Sequence, residues 1–100
     1  MKYIEYLLIC LAEEGAEVAQ SVTKALRFGM KDQWGSKETN EAEINIEYND
    51  IIAIAELLQE RGFKIHRDEK LIADKKQRFK KWANKAVSNG MLEPLTNEVA

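Results

Sequence analysis

The stretch Leu11-Ala12-Glu13-Glu14-Gly15-Ala16-Glu17-Val18 places two carboxylates where a helical core should carry apolar side chains. Glu14 and Glu17 are three residues apart, so on a helix they lie about 60° apart around the axis and about 4.5 Å apart along it. The core period of this helix runs through Leu7, Leu11, Glu14, Val18, Val22 and Ala25. A carboxylate directed at a core is unfavourable unless it is paired or binds a metal. The stretch therefore predicts a helix whose inner face carries a functional acidic pair.

A second acidic pair has the same spacing and the same phase. Glu47 and Asp50 lie in Ile44-Asn45-Ile46-Glu47-Tyr48-Asn49-Asp50-Ile51-Ile52, and Glu47 begins a period that continues to Leu58. Four carboxylates brought together repel at roughly 4 kcal/mol per pair at intermediate dielectric, and a divalent cation between them reverses that sign. The two pairs together predict a divalent metal site. The alternative is that they are solvated acids at a helix boundary, or that they pair with the basic C-terminal helix.

Composition predicts one all-α domain spanning residues 1–100. The chain is 45% hydrophobic and 32% charged, with a single proline. Cys10 is the only cysteine, which excludes an intrachain disulfide and a cysteine-based zinc cluster. Acidic residues bracket the N-terminal apolar run, so we expect neither a signal peptide nor a membrane span, and a cytoplasmic location.

Charge divides the chain into an acidic part and a basic part. Residues 1–60 carry 12 acidic and five basic residues, and residues 61–100 carry five acidic and ten basic residues. This division fits a site that holds metal ions and phosphates together. It also fits two charged faces that only hold each other.

Periodicity and terminator residues predict three or four helices. The first runs from about residue 2 to 27 with Gly29 as its terminator, and Gly15 within it suggests close approach of a helix or ligand. The second starts near residue 39 or 40, where Asn40 and Glu43 resemble a capping box, and ends near residue 61. The third starts after Asp68 and either continues to about residue 89 or breaks near Asp74.

The second predicted helix is apolar around most of its circumference. Its apolar residues are Ile44, Ile46, Tyr48, Ile51, Ile52, Ile54, Leu57 and Leu58. A helix that is apolar all round needs neighbours on all sides, and three or four helices of this length bury only a thin core. We therefore expect a helical bundle that is completed by homodimerisation.

The order of these motifs resembles a known superfamily. Glu13-Glu14-Gly15-Ala16-Glu17 is an E-E-x-x-E motif, and Glu47-Tyr48-Asn49-Asp50 is an E-x-x-D motif on the following helix. The pattern is similar to that of the all-α nucleoside triphosphate pyrophosphohydrolases, which include MazG, dimeric dUTPase and phosphoribosyl-ATP pyrophosphohydrolase. The run ending in Lys24-Ala25-Leu26-Arg27-Phe28-Gly29 further resembles short MazG-like proteins of phages and mobile elements, and Lys75-Lys76-Gln77-Arg78-Phe79 is similar to the family's basic helix.

This resemblance implies a site and a reaction. The ligands of Mg²⁺, with Mn²⁺ as a substitute, would be Glu14, Glu17, Glu47 and Asp50. Oxygen ligands without histidine or cysteine favour these hard cations. The implied reaction hydrolyses a nucleoside triphosphate between its α- and β-phosphates, releasing a monophosphate and pyrophosphate. The implied role is house-cleaning of the nucleotide pool by a homodimer or a tetramer.

Other site residues are assigned less directly, and alternatives stay open for each. Glu13 is a candidate for orienting or deprotonating the attacking water, although it lies about 100° from Glu14 around the helix. Trp34 and Tyr48 are candidates for the nucleoside pocket, or for packing at a dimer contact. The candidate phosphate contacts are Lys75, Lys76 and Arg78, whose alternative is a solvated basic face.

Two further classes of function compete with this enzyme. One is a non-enzymatic helical interaction module whose basic C-terminal helix contacts nucleic acid. The net charge of −2 and the acids on the core stripe argue against it, so nucleic acid is not the expected partner. The other is a di-iron helical bundle, which needs two Glu-x-x-His motifs and is excluded because His66 is the only histidine.

Overall fold

A computed structural model of the chain describes residues 1–33, 35 and 37–96, and these residues form helices and no β-strand. The helices are α1 (Tyr3–Phe28), α2 (Asn40–Glu60) and α3 (Glu69–Ser88). The chain divides into two compact units, Met1–His66 and Arg67–Ala100. The all-α prediction is confirmed. Within the described ranges, no helix combines the length and the apolar character that crossing a membrane requires.

The first unit is an antiparallel pair of helices. Lys24, near the end of α1, forms an ion pair with Glu43, near the start of α2. At the other end, the guanidinium of Arg61 lies 4.7 Å from the centroid of the Tyr3 ring. Contacts that join the end of one helix to the start of the next require the two helices to run in opposite directions. The middle of α1 therefore faces the middle of α2.

The helices of the first unit end on residues that cap them. Gly29 has a φ of 107°, which side chains other than glycine rarely adopt, and its backbone N–H donates to the Ala25 carbonyl at 2.8 Å. The hydroxyl of Thr39 accepts a hydrogen bond from the Ala42 backbone N–H at 3.2 Å. The expectation that Asn40 caps α2 through a capping box is therefore corrected, because Thr39 is the capping residue.

Asn40 instead ties the end of α1 to the start of α2. Its side chain is fully buried, and Nδ2 donates to the Gly29 carbonyl at 2.8 Å. Its backbone N–H donates to the Asp32 carbonyl at 2.8 Å. These two bonds satisfy the carbonyl of Gly29 at the end of α1 and the carbonyl of Asp32 in the connection that follows. Asn40 is thus a structural clamp for the connection between the helices.

The core of the first unit is thin. Its fully buried apolar residues, among those described, are Leu7 and Ala25 of α1 and Leu58 of α2. All three belong to the core periods expected from the sequence. Apolar side chains of α2 that remain exposed are Ile46, Tyr48, Ile52 and Leu57. This exposure agrees with a helix that is apolar all round, while the dimer itself stays a prediction.

The second unit contains α3, a continuous and strongly basic helix. The Asp68 carboxylate accepts from the Leu71 backbone N–H at 3.0 Å, which confirms Asp68 as the N-cap. The helix runs through Asp74 without interruption. Phe79 and Trp82 meet edge to face with their ring centroids 5.4 Å apart. Every described aromatic and basic side chain of this helix is exposed.

Candidate metal centre

Three of the predicted carboxylates converge between α1 and α2. Glu14 comes from the middle of α1, and Glu47 and Asp50 come from successive turns of α2. Each side chain offers a carboxylate oxygen, and these three oxygens lie within 4.8 Å of one another. The three-residue spacing on α2 places both of its acids toward α1, as the sequence pattern requires. The packing of the two helices thus brings together acids that are more than 30 residues apart in the chain.

Glu17, the fourth predicted ligand, lies beside this group. Its carboxylate interacts with that of Glu47, and the two residues line the same cleft. Glu13 is exposed and is not one of the three converging carboxylates. The structure therefore gathers Glu14, Glu17, Glu47 and Asp50 at one place. The expectation of a helix packed closely against Gly15 is wrong for this chain, because a Cβ added there would meet nothing within 4 Å, while the close approach of a ligand stays a prediction.

Two oxygens of this group are buried without a partner. Oε2 of Glu14 and Oε2 of Glu47 accept no hydrogen bond from any residue that the structure describes. A buried carboxylate oxygen normally accepts a hydrogen bond or binds a cation, because losing its hydration is costly. Ionised carboxylates cannot donate hydrogen bonds to each other. The pair Glu14 and Glu47 therefore needs either a shared proton or a bound cation.

The electrostatics of Glu47 show the same need. Burial raises the pKa of the Glu47 carboxyl to about 7, and the neighbouring carboxylates of Glu14 and Glu17 raise it as well. Desolvation and neighbouring negative charges both disfavour the ionised form. A cation at this place would supply the missing compensation. Near neutral pH, Glu47 is therefore close to the pH at which it loses its proton. A cation that binds there would take the place of that proton.

The donor set fits a hard divalent cation. The cluster consists of carboxylate oxygens from Glu14, Glu47 and Asp50, and Glu17 lies next to it. Mg²⁺ and Mn²⁺ prefer such oxygen ligands, whereas zinc and copper sites usually contain histidine or cysteine. The two unpartnered oxygens are the structural observation that supports the fit. Glu14, Glu17, Glu47 and Asp50 therefore stay the predicted ligands of such an ion.

A cleft of about 380 Å³ opens next to the acidic cluster. Its lining residues are Glu17, Gln20, Ser21, Lys24, Glu38, Glu43, Ile46 and Glu47. Lys24 Nζ and Glu43 Oε2 lie 2.7 Å apart across the cleft wall. Glu17 and Glu47 belong to both the cluster and the cleft. The cluster and the cleft therefore share two side chains.

The sequence interpretation assigned no role at the site to Ser21, Lys24 or Glu43. The spacing along the chain indicates the positions of two of these residues. Lys24 follows Glu17 by seven residues, and Glu43 precedes Glu47 by four. Seven- and four-residue spacings place side chains on nearly the same face of a helix. A lysine and a glutamate on these faces also look like an ordinary surface pair. Only the packing of α1 against α2 makes them the wall of a cleft.

The remaining predicted site residues are placed differently. Tyr48 is exposed and is not among the residues that line the cleft. Trp34 lies outside the described residues. Lys75, Lys76 and Arg78 are exposed on α3 in the second unit. The Nζ atom of Lys75 lies 5.1 Å from the ring centroids of both Phe79 and Trp82, in cation–π geometry.

Comparisons of the chain with protein-family models, with curated proteins and with solved structures found no match. The likeness to the all-α pyrophosphohydrolases therefore rests on the motifs of this chain alone. Membership of that superfamily stays a prediction.

Proposed function

We propose that this protein is a Mg²⁺-dependent nucleoside triphosphate pyrophosphohydrolase, which converts an NTP or dNTP into the monophosphate and pyrophosphate. The observation that carries the proposal is the convergence of Glu14, Glu47 and Asp50 within 4.8 Å, with buried oxygens of Glu14 and Glu47 lacking partners among the described residues. An arrangement that is costly on its own is expected where a bound cation offsets the cost. The order of the motifs along the chain is similar to that of the all-α pyrophosphohydrolases, and this likeness is the reason for proposing this particular reaction.

Each carboxylate has a stated role in this proposal. Glu14, Glu17, Glu47 and Asp50 hold Mg²⁺, for which Mn²⁺ can substitute. When bound, the metal supplies neutralisation of the phosphate charges and activation of water. Glu13 is exposed on the same helix and orients or deprotonates the attacking water. The antiparallel packing of α1 and α2 holds the four ligands before the substrate arrives, which reduces the cost of assembling the site.

Contacts to the phosphates are proposed for Lys75, Lys76 and Arg78. All three are exposed, and α3 carries seven lysine and arginine residues against two acids. Arginine binds phosphate oxygens in pairs of hydrogen bonds, while lysine acts as a point charge. The positive charge of these side chains is the property that suits them to a polyphosphate.

A homodimer is part of the same proposal. The exposed residues Ile52 and Leu57 leave apolar surface on α2, and the first unit buries few apolar side chains of its own. A second copy would cover this surface, and two dimers could associate into a tetramer. The likeness of the motifs to those of the pyrophosphohydrolases adds a house-cleaning role in the cytoplasm to the proposal.

The proposal is tested by a pyrophosphate-release screen. Canonical and modified NTPs and dNTPs are incubated with the protein in Mg²⁺, in Mn²⁺ and in EDTA, and the products are separated by anion exchange. We expect monophosphate and pyrophosphate in equal amounts with either metal and none in EDTA. Diphosphate and orthophosphate as main products would place the attack at the γ-phosphorus and contradict the proposal. Hydrolysis that persists in EDTA would contradict the metal site.

A second candidate function is a non-enzymatic module that binds single-stranded nucleic acid through α3. The observation in its favour is that Phe79 and Trp82 are exposed beside Lys75 on a basic helix. Exposed aromatic rings among basic residues can stack on bases while lysines contact phosphates. Fluorescence anisotropy with a labelled oligonucleotide tests it. Affinity that falls steeply between about 50 and 200 mM salt, without any pyrophosphate release, would favour this candidate.

A further inference from the structure

The cleft beside the acidic cluster is continuous with the candidate metal centre. Glu17 and Glu47 line it and also belong to the group of converging acids. A phosphate held at those acids therefore has the cleft as the space for the rest of its molecule. The volume of about 380 Å³ lies within the range of about 300–1,000 Å³ that small-molecule sites occupy.

The charge of the cleft disfavours further phosphates. Among the described residues, the carboxylates of Glu17, Glu38, Glu43 and Glu47 line it against the ammonium of Lys24. A metal ion would offset the charges of Glu17 and Glu47 and leave two carboxylates facing one ammonium. A phosphate beyond the metal would be repelled, whereas an uncharged polar group would not. Ile46 adds an exposed apolar surface to the same wall.

The Lys24–Glu43 ion pair presents a donor next to an acceptor at a fixed position. Nζ and Oε2 are 2.7 Å apart, and the side chains are only 22% and 18% exposed. An ammonium has three donor hydrogens and a carboxylate has about four lone-pair sites, so each group can bind the other and a ligand together. Because the two residues come from different helices, helix packing sets their separation. A neighbouring donor and acceptor is what the hydrogen-bonding edge of a nucleobase requires.

Ser21 adds a hydroxyl to the lining of the cleft. The residue is 8% exposed and lies on α1 between Glu17 and Lys24, which line the same cleft. A hydroxyl can both donate a hydrogen bond to a ligand and accept one from it. A polar ligand in the cleft would therefore find a hydroxyl there as well as the ion pair.

We propose that this cleft is the nucleobase pocket and that the Lys24–Glu43 pair reads the edge of the base, with the Ser21 hydroxyl as a further contact. The inference rests on the proposed function, because it assumes that the acidic cluster holds the phosphates. It assigns base discrimination to the pair of helices that carries the metal ligands.

The experiment measures nucleotide affinity instead of turnover. Non-hydrolysable α,β-methylene triphosphates of the four common bases, and ribose 5′-triphosphate, which has no base, are titrated by calorimetry in Mg²⁺. The variants are Lys24→Met, Glu43→Gln and the double variant, which removes both charges together. Lys31→Met is the matched control, because Lys31 pairs with Glu41 away from the cleft.

Lys24→Met should weaken binding of the preferred triphosphate by about 10- to 100-fold. It should also reduce the differences in affinity between triphosphates that carry different bases. The loss should be confined to ligands that carry a base, and Lys31→Met should bind like the wild type. An unchanged order of base affinities in both Lys24→Met and Glu43→Gln would overturn the inference. An equal loss for ribose triphosphate would also overturn it, because Lys24 would then contact phosphate.

Failure of the inference and failure of the proposed function give different results. Base-dependent binding that Lys24→Met abolishes, without any pyrophosphate release, supports the pocket and contradicts the enzyme. Pyrophosphate release whose base preference survives Lys24→Met supports the enzyme and contradicts the pocket. A wild type that binds none of these triphosphates contradicts both. Circular dichroism checks each fold, and the double variant replaces any single variant that fails to fold.

Discussion

Glu14 and Glu47 face each other from two helices, and each has one buried carboxylate oxygen that accepts no hydrogen bond among the described residues. Asp50 brings a third carboxylate oxygen within 4.8 Å of theirs. Without a cation this arrangement opposes folding, because neither oxygen recovers the hydration that it loses. The same arrangement favours cation binding, because the ligands are already assembled. Metal binding, pH and stability are therefore coupled at this pair of residues.

Removing one ligand charge should abolish activity without harming the fold. We expect Glu14→Gln, Glu17→Gln, Glu47→Gln and Asp50→Asn each to reduce pyrophosphate release by more than about 100-fold, since even outer-shell changes cost metal sites about 10- to 100-fold. Glu56→Gln, on the exposed side of α2, is the matched control and should stay near wild type. Wild-type rates in any two of the four ligand variants would show that the site is assigned wrongly.

The free energy of unfolding of the metal-free protein should decrease as pH rises from about 4.5 to about 7. Glu47 keeps its proton up to about pH 7 in the folded state but only to about 4.5 when unfolded. The folded state therefore binds more protons in this window, so raising the pH favours unfolding. The loss is at most about 3.5 kcal/mol, at about 1.4 kcal/mol per pKa unit, and solvent screening of this partly exposed carboxylate reduces it.

Urea unfolding at about pH 5 and about pH 8, followed by circular dichroism, measures this effect. Glu47→Gln should flatten the profile and should be more stable than wild type at the higher pH without metal. Mg²⁺ should restore the wild type at the higher pH, because it binds the ionised carboxylates of the folded state. A metal-free wild type whose stability rises through this window would contradict the account of Glu47.

A charged residue introduced on the exposed apolar surface of α2 should shift the protein from dimer to monomer. We expect a dimer by light scattering at micromolar concentration, and a shift toward monomer for Ile52→Glu and Leu57→Glu, since both side chains are exposed in the single chain. Glu60→Gln, on the same helix and polar, serves as the control. A fully active monomeric wild type would rule out the dimer.

Mixing two inactive chains would show whether a dimer shares its sites. Glu47→Gln removes a proposed metal ligand, and Lys76→Ala removes a proposed phosphate contact on α3. If the basic helix of one chain serves the acids of the other, mixed dimers contain one intact site and activity returns. Mixed dimers without recovered activity would place both groups in the same chain.

Asn40 should be the polar residue whose loss is most damaging to the first unit. Asn40→Ala removes the donor to the Gly29 carbonyl and leaves a space at a fully buried position. We expect the free energy of unfolding to fall by about 1–3 kcal/mol. Asn45→Ala, an exposed position on the same helix, should change it by no more than about 0.5 kcal/mol. Equal effects of the two substitutions would contradict the clamp.

Much of the fold and the outline of the site could be predicted from local sequence. Gly29 and Asp68 mark helix ends through their own backbone and side-chain chemistry, and both predictions are confirmed. Leu7, Ala25 and Leu58 are buried where the helical period placed them. The acidic pairs interrupt the same period, which is why periodicity alone marks them as a possible site.

Other features depended on contacts that no local pattern contains. Asn40 looked like a helix cap, but its amide donates to a carbonyl 11 residues earlier, and Thr39 caps the helix. Gly15 suggested a close approach that the packing does not make. Ser21 gave no signal at all, since a serine in a helix is ordinary until packing places it in the lining of a cleft.

The sequence by itself determined the helices and the inner faces of α1 and α2, because helical periodicity and capping act over a few residues. The tertiary structure alone decided which side chains meet across the two helices. The convergence of Glu14 with Glu47 and Asp50, the raised pKa of Glu47, and the Lys24–Glu43 wall of the cleft all come from antiparallel packing. That packing sets the distances between the helices and excludes water between them. It therefore determines the pKa of Glu47 and the grouping of the acids, which periodicity could only suggest.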